Sequence, residues 1–132
     1  ISLDCKKDRI TNCNGKENWK IYIKGGRQKT GVDAIEFAKK MEDYGAGELL
    51  VNSLDCDGKR KGYDIDLLKN IVQAVKIPVI ASSGANCEKD FLDAFKLAKV
   101  DAALAASIFH YKETTITEIK KYLATNNITV RI

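Results

Sequence analysis

The sequence predicts an α/β fold of four successive βα units, with a β-hairpin inserted after the first strand. Three observations carry this reading. Strand-like and helix-like patterns alternate four times along the chain, an order that forms a parallel sheet with right-handed crossovers. The apolar run Leu49, Leu50, Val51 is short and shows no long alternation, the mark of a strand buried on both faces. Each strand also finishes on a polar or small group: Asp4, then residues 52–57, then Ser82 to Gly84, then Ala106 and Ser107. Parallel strands bring those ends to one face, where barrels and open α/β sheets place their chemistry.

The elements follow in chain order. Residues 1–4 form the first strand and end in Asp4. Residues 5–24 are a long excursion, in which Asn12, Asn14 and Gly15 supply turn chemistry. Trp19, Ile21 and Ile23 then alternate with Lys20, Tyr22 and Lys24, as in one arm of a hairpin. Gly25, Gly26, Arg27 and Lys29 make a flexible cationic loop. The first helix spans 32–44, with Ala34, Phe37, Ala38 and Met41 on one stripe, and Gly45 stops it. After the second strand, a helix over 65–75 turns Leu67, Leu68, Ile71, Val72 and Val75 inward behind an Asp64 cap. Pro78 opens the strand 79–82. Asn86 caps a third helix that buries Phe91, Leu92 and Phe95. Small residues make a strand of 101–106, and a short helix runs on through His110. Thr115 and Glu118 form a capping box for the fourth helix, whose inward residues are Ile116, Ile119 and Leu123. Asn126 and Asn127 end it, and 128–132 is an extended tail.

The totals bound the function. A chain of 132 residues suits one domain, 1–132. A full (β/α)8 barrel takes ~250 residues. The net charge of +4 is mild, and many basic residues sit in loops such as 59–61. No aromatic-interleaved basic stripe is present, so nucleic acid is not an expected partner. Loop lysines solvate a surface or attract small anions. Cys5, Cys13, Cys56 and Cys87 show neither CxxC nor metal-ligand spacing, so no metal site, cofactor or disulfide is expected, and the thiols suit a reducing compartment. No apolar run approaches the ~18 residues of a membrane span. The chain opens in a strand without an initiator Met, which reads as a missing N-terminal region.

Chemistry concentrates at the strand ends. Ser82, Ser83, Gly84 and Ala85 lead into a helix, and Ala106 and Ser107 into another; such loops present backbone N–H groups to an anion. Tight packing turns would use the same small residues. Asp4 stands alone at its rim and suits a general acid or base, or else a surface ion pair with Lys6 or Lys7. Asp55, Asp57 and Gly58 serve either a site or an ordinary turn. His110 reads as a packed residue beside its short helix rather than a catalyst.

Three ordered stretches, GAGELLVNSLDCDGKRKGYD (45–64), IPVIASSGA (77–85) and DAALAASIFHYKE (101–113), resemble the last strands and loops of the cyclase subunit of imidazole glycerol phosphate synthase, an enzyme of histidine biosynthesis. SLDCKK is similar to that family's fifth strand. The resemblance implies the C-terminal half of a (β/α)8 TIM barrel, strands five to eight. It implies Asp4 and Asp57 as catalytic residues, the other catalytic carboxylate of the family lying on a first strand not held here. It implies phosphate contacts from Gly58, Ser82, Ser83, Gly84, Ala106 and Ser107, substrate contacts from Asn52 and Gly26, and a place for Glu48 in a charged ring at the ammonia entrance. The expected partners are a phosphorylated ribotide substrate, an ammonia-supplying glutaminase domain or subunit, and either the N-terminal half-barrel or a second copy. SerSerGly stands where many bacterial relatives have SerGlyGly, a form closer to plant and fungal enzymes, so the expected compartment is the cytoplasm or a plastid. Two alternatives remain open. A sister isomerase of the same pathway fits less well, since Asn52–Ser53 and GYD depart from its pattern. A non-catalytic half-barrel that binds phosphate is the other.

Overall fold

The structure is a computed structural model that describes residues 1–8 and 17–131. The turn at Asn12, Asn14 and Gly15, Cys13 and the terminal Ile132 lie outside the described residues. Strand β1 (Ser2–Asp8) runs past Asp4 because its outer edge is paired by a hairpin, β2 (Asn18–Ile23) and β3 (Gln28–Asp33). The expected cationic loop is therefore only the tip of this hairpin. Thr30 fixes the second arm by donating its hydroxyl to the Ile21 carbonyl at 2.8 Å, and Lys29 pairs with Asp8 at 3.0 Å.

Helix α1 (Ala34–Asp43) starts later than the periodicity predicts. Asp33 is its cap, accepting from the amides of Ile35 and Glu36 at 2.9 and 3.2 Å. Gly45, at φ +90°, turns the chain out of it toward β4 (Leu49–Ser53). Helix α2 (Ile65–Ala74) is capped by Asp64 as expected, and it buries Leu67, Leu68 and Ile71. Strand β5 (Val79–Ser82) follows. Helix α3 (Glu88–Asp93) ends in a π-helical turn (Ala94–Ala98), with Phe91 buried. Asn86 is exposed and does not cap it. The Asp90 carboxylate instead reaches back to the amides of Asn86 and Cys87, at 2.7 and 3.0 Å.

The last strand, β6 (Ala102–Ala103), is shorter than the expected 101–106, because after Leu104 donates its amide to the Ala81 carbonyl the chain turns toward α4 (Ser107–His110). Helix α5 (Ile116–Thr125) carries the expected capping box, Thr115 Oγ1 accepting from the Glu118 amide at 3.2 Å and the Thr115 amide donating to Glu118 at 2.7 Å. Ile119 and Leu123 are buried, but Ile116 in its first turn is 59% exposed.

Among the described residues the sheet order is β3-β2-β1-β4-β5-β6, with β1, β4, β5 and β6 parallel. The fold is thus α/β, and its parallel core matches four successive strands of a (β/α)8 barrel. Among the described residues the helices cover one sheet face only. Leu3, Cys5, Leu49, Val51, Val79 and Ala81 point to the buried face. Leu50 and Ile80, on the opposite face, are half-buried, so the strand at 49–51 is not buried on both faces as its apolar run suggests.

Candidate functional site

Strand register assembles the site. Asp4 lies beside Asn52 on β4, and Asn52 lies beside Ser82 on β5. These three positions form one row on the face opposite the buried one, at the C-terminal ends of β4 and β5 and at the matching register of β1, which runs on beyond it. One residue pair earlier in each strand, Ser2, Leu50, Ile80 and Ala102 form the row beneath. Asn52 Nδ2 donates to Asp4 Oδ1 at 3.1 Å and to Ser2 Oγ at 3.0 Å. That double donation fixes the amide and orients the carboxylate from one side.

An open cavity of about 460 Å³ rises above this row. Asp4, Asn52, Asp57, Gly58, Ser82, Ser83, Gly84, Ala106 and Ser107 all line it, so nine of the eleven residues singled out from the sequence converge. Gly26 does not line it; its neighbour Gly25 does, while Gly26 faces the side chain of Leu54. Glu48 precedes β4 and is exposed at the opposite end of the sheet, where its carbonyl accepts from the Ile1 ammonium at 3.0 Å. His110 is exposed, and the buried residue of its short helix is Ile108.

The loops above the row are tied to one another. Gly62 donates its amide to the Gly84 carbonyl at 2.9 Å, joining the β4–α2 loop to the β5–α3 loop. Tyr63 donates its hydroxyl to the Leu104 carbonyl at 2.9 Å, joining the same loop to the exit of β6. Burial, and then the negative charge of Asp90, raises the Tyr63 pKa well above its ordinary range, so the phenol stays a donor. Asp64 completes the frame: Oδ1 caps α2 through the Leu67 amide at 3.0 Å, and Oδ2 accepts from Trp19 Nε1 at 3.0 Å and from Ser53 Oγ at 3.3 Å. Asp55 accepts from the Lys7 amide at 2.7 Å, which makes it a structural acid rather than a free one. The Cys5 thiol beneath Asp4 is pushed up to about 12 by burial and by the charges of Asp4, Asp64 and Asp33, and so is no nucleophile.

The anion-binding capacity differs in detail from the expectation. The amides at 86 and 87 are occupied by Asp90, so the entrance to α3 is already capped. What remains toward the cavity is the Ser82–Ala85 loop, with Ser83 at φ +74° and Gly84 at φ +103°. The second contribution comes from Ser107 at the start of α4, where the Phe109 amide already donates to the Ala106 carbonyl at 3.1 Å and the amides of Ser107 and Ile108, ahead of it, have no carbonyl one turn back within the helix. Arg60 also lines the cavity and was not singled out by sequence reasoning. It sits between two lysines, and nothing in the tract marks which of the three side chains turns inward.

Comparison with known proteins bears on this geometry. A family model described as histidine biosynthesis protein matches residues 1–115. The chain is 54% identical over 119 residues to a Pyrococcus furiosus protein named imidazole glycerol phosphate synthase subunit HisF, covering 90% of this chain and 47% of that protein. A protein of the same name from Hydrogenobaculum sp. is 53% identical over 116 residues, covering 88% and 46%. Another from Clostridium botulinum is 46% identical over 132 residues, covering 100% and 50%. The chain thus spans about half the length of the curated relatives it matches. With the family model extending over residues 1–115, from the strand that carries Asp4 to the cap of the last helix, the chain belongs to the family of histidine biosynthesis proteins.

Proposed function

We propose that residues 1–132 are the C-terminal half-barrel of the cyclase of imidazole glycerol phosphate synthase. The reaction joins ammonia, supplied from glutamine by a glutaminase domain or subunit, to a phosphoribulosyl formimino carboxamide ribotide. It yields imidazole glycerol phosphate and an aminoimidazole carboxamide ribotide. The observation that carries the reading is one shared cavity in which a rim carboxylate, Asp4, meets two small-residue loops, Ser82–Ala85 and Ala106–Ser107.

The roles follow from position. Asp4, oriented by Asn52, serves as general acid or base toward the substrate. The second carboxylate of that chemistry belongs to the N-terminal half of the barrel. Asp57 and Gly58 close the cavity from the β4–α2 loop, and the amides of Ser83, Gly84 and Ser107 hold one substrate phosphate. Glu48, at the far end of β4, belongs to the ammonia entrance. Gly25, exposed at the hairpin tip, lines the cavity, and Gly26 next to it is assigned to the substrate side with it.

Titration with inorganic phosphate, followed by amide chemical shifts, tests the site. Gly84 and Ser107 are expected to move first; shifts confined to 59–61 would instead mark a nonspecific basic patch. Turnover with ammonia as nitrogen donor tests the chemistry. Activity restored on adding the N-terminal half supports the cyclase, whereas phosphate binding without turnover in that assembly supports a non-catalytic half-barrel.

A further inference from the structure

Arg60 is the only cation among the described residues that line the cavity, which also holds Asp4 and Asp57. A phosphate dianion entering there meets two carboxylates and one guanidinium. Backbone amides alone leave that charge balance unfavourable in a partly desolvated site. Yet Arg60 is not free. Its Nη2 donates to Glu113 Oε1 at 2.5 Å, and its guanidinium carbon lies 5.8 Å from the centroid of the Tyr111 ring. Glu113 itself is not among the cavity residues. The pair therefore spans from the β4–α2 loop, above the cavity, to the α4–α5 connection outside it.

The pair is also easy to exchange. The two side chains are 40% and 39% exposed, and ion pairs this wet contribute little. A phosphate offers twice the charge of a carboxylate and more acceptor oxygens to the same planar fork. We propose that Arg60 is a phosphate-responsive latch: Glu113 holds it at the rim of the cavity, and a phosphate that binds there takes it over. The exchange draws the β4–α2 loop toward the anion and frees the α4–α5 connection from it. Tyr111 provides the flat surface along which the guanidinium turns. This deepens the phosphate-site reading above and rests on it.

The test measures inorganic phosphate affinity of the full chain by equilibrium dialysis, with hydrogen exchange at 82–85 and 106–109 locating the site. Arg60→Gln is expected to weaken binding about tenfold or more, the scale of a lost charge-assisted hydrogen bond. Glu113→Gln is expected to tighten it by up to about fivefold, the scale of an exposed ion pair, and that gain is expected to vanish in the Arg60→Gln background. Lys59→Gln removes the same charge one residue away and is expected to stay within about twofold of wild type. Phosphate-induced protection at 82–85 and 106–109 that persists in Arg60→Gln with unchanged affinity would overturn the latch and leave the phosphate site standing. A Glu113→Gln chain that binds phosphate no more tightly than wild type would overturn the latch as well. Absence of protection in the wild-type chain would overturn both.

Discussion

A Cβ placed on Gly84 would stand 2.2 Å from the Gly62 carbonyl oxygen and 2.9 Å from Cys56 Cβ, and the residue sits at φ +103°. Two loops cross at this point with no room for a side chain. Gly84→Ala is therefore expected to destabilise by roughly 1–3 kcal/mol or more, read from the urea midpoint, and to weaken phosphate binding with it. Its neighbour behaves oppositely. Ser83 holds φ +74°, a conformation that costs an ordinary residue roughly 1–2 kcal/mol. Glycine there relieves the strain but adds ~0.4–1 kcal/mol of unfolded-state freedom. Ser83→Gly is thus expected to stabilise by between zero and about 1.5 kcal/mol in the same measurement. Asp4→Asn keeps an oxygen to accept from Asn52 Nδ2, so the row Asp4–Asn52–Ser82 is expected to survive. If the proposed cyclase reading holds, the substitution is expected to lower ammonia-dependent turnover of the two halves together roughly 10²–10⁴-fold. A variant that turns over within about threefold of wild type would remove Asp4 from the chemistry.

At the scale of elements, the capping box of α5 makes stability depend on pH. The Thr115 hydroxyl, and then the Thr115 amide, hold the Glu118 carboxyl below its ordinary range. The depressed pKa means that this contribution is present above the unfolded-state value, ~4.3, and fades as pH falls through the folded-state value. Thr115→Ala is expected to lower the melting temperature by a few degrees at neutral pH, with the gap to wild type closing in acid. Caps also show which elements the sequence reveals. Asp64 and Thr115 stand directly before strong helical stripes and could be read off. Asp33 could not, because the preceding residues carry no apolar alternation: β3 is exposed along nearly its whole length and is held by backbone pairing to β2. The cap of α3 was missed for another reason, since Asp90 acts backwards on the amides of 86 and 87 from inside the helix. The site was largely legible because strand ends mark it. Asn52 and Ser82 are polar residues that follow the apolar runs of β4 and β5, and Asp4 is the first acid of the chain, although its strand runs on to Asp8. Arg60 and the Tyr63–Leu104 bond were not, since both depend on where loops fold back.

At the scale of the whole molecule, one sheet face is without helices among the described residues. Leu50 and Ile80 stand there half-buried, and among the described residues the outer strands are β3 and β6, the hairpin having taken the edge that β1 would otherwise show. Unpaired edges and an apolar patch favour association. The N-terminal half of a barrel would cover them, and so would a second copy about a two-fold axis, giving eight parallel strands from two chains. Sedimentation of the isolated chain is expected to show dimers, larger assemblies or precipitate. A compact 14.6 kDa monomer with cooperative unfolding would contradict the half-barrel. The molecule also carries its own optical reporter. Its single tryptophan, Trp19, is 1% exposed, and its indole N–H ends on the carboxylate that caps α2 and receives Ser53. Light absorbed by that one ring samples the hairpin, the strand carrying Asn52 and the loop carrying Arg60 at once. Emission colour and lifetime should therefore register any rearrangement of the β4–α2 loop without a label, in a chain where no second indole blurs the signal.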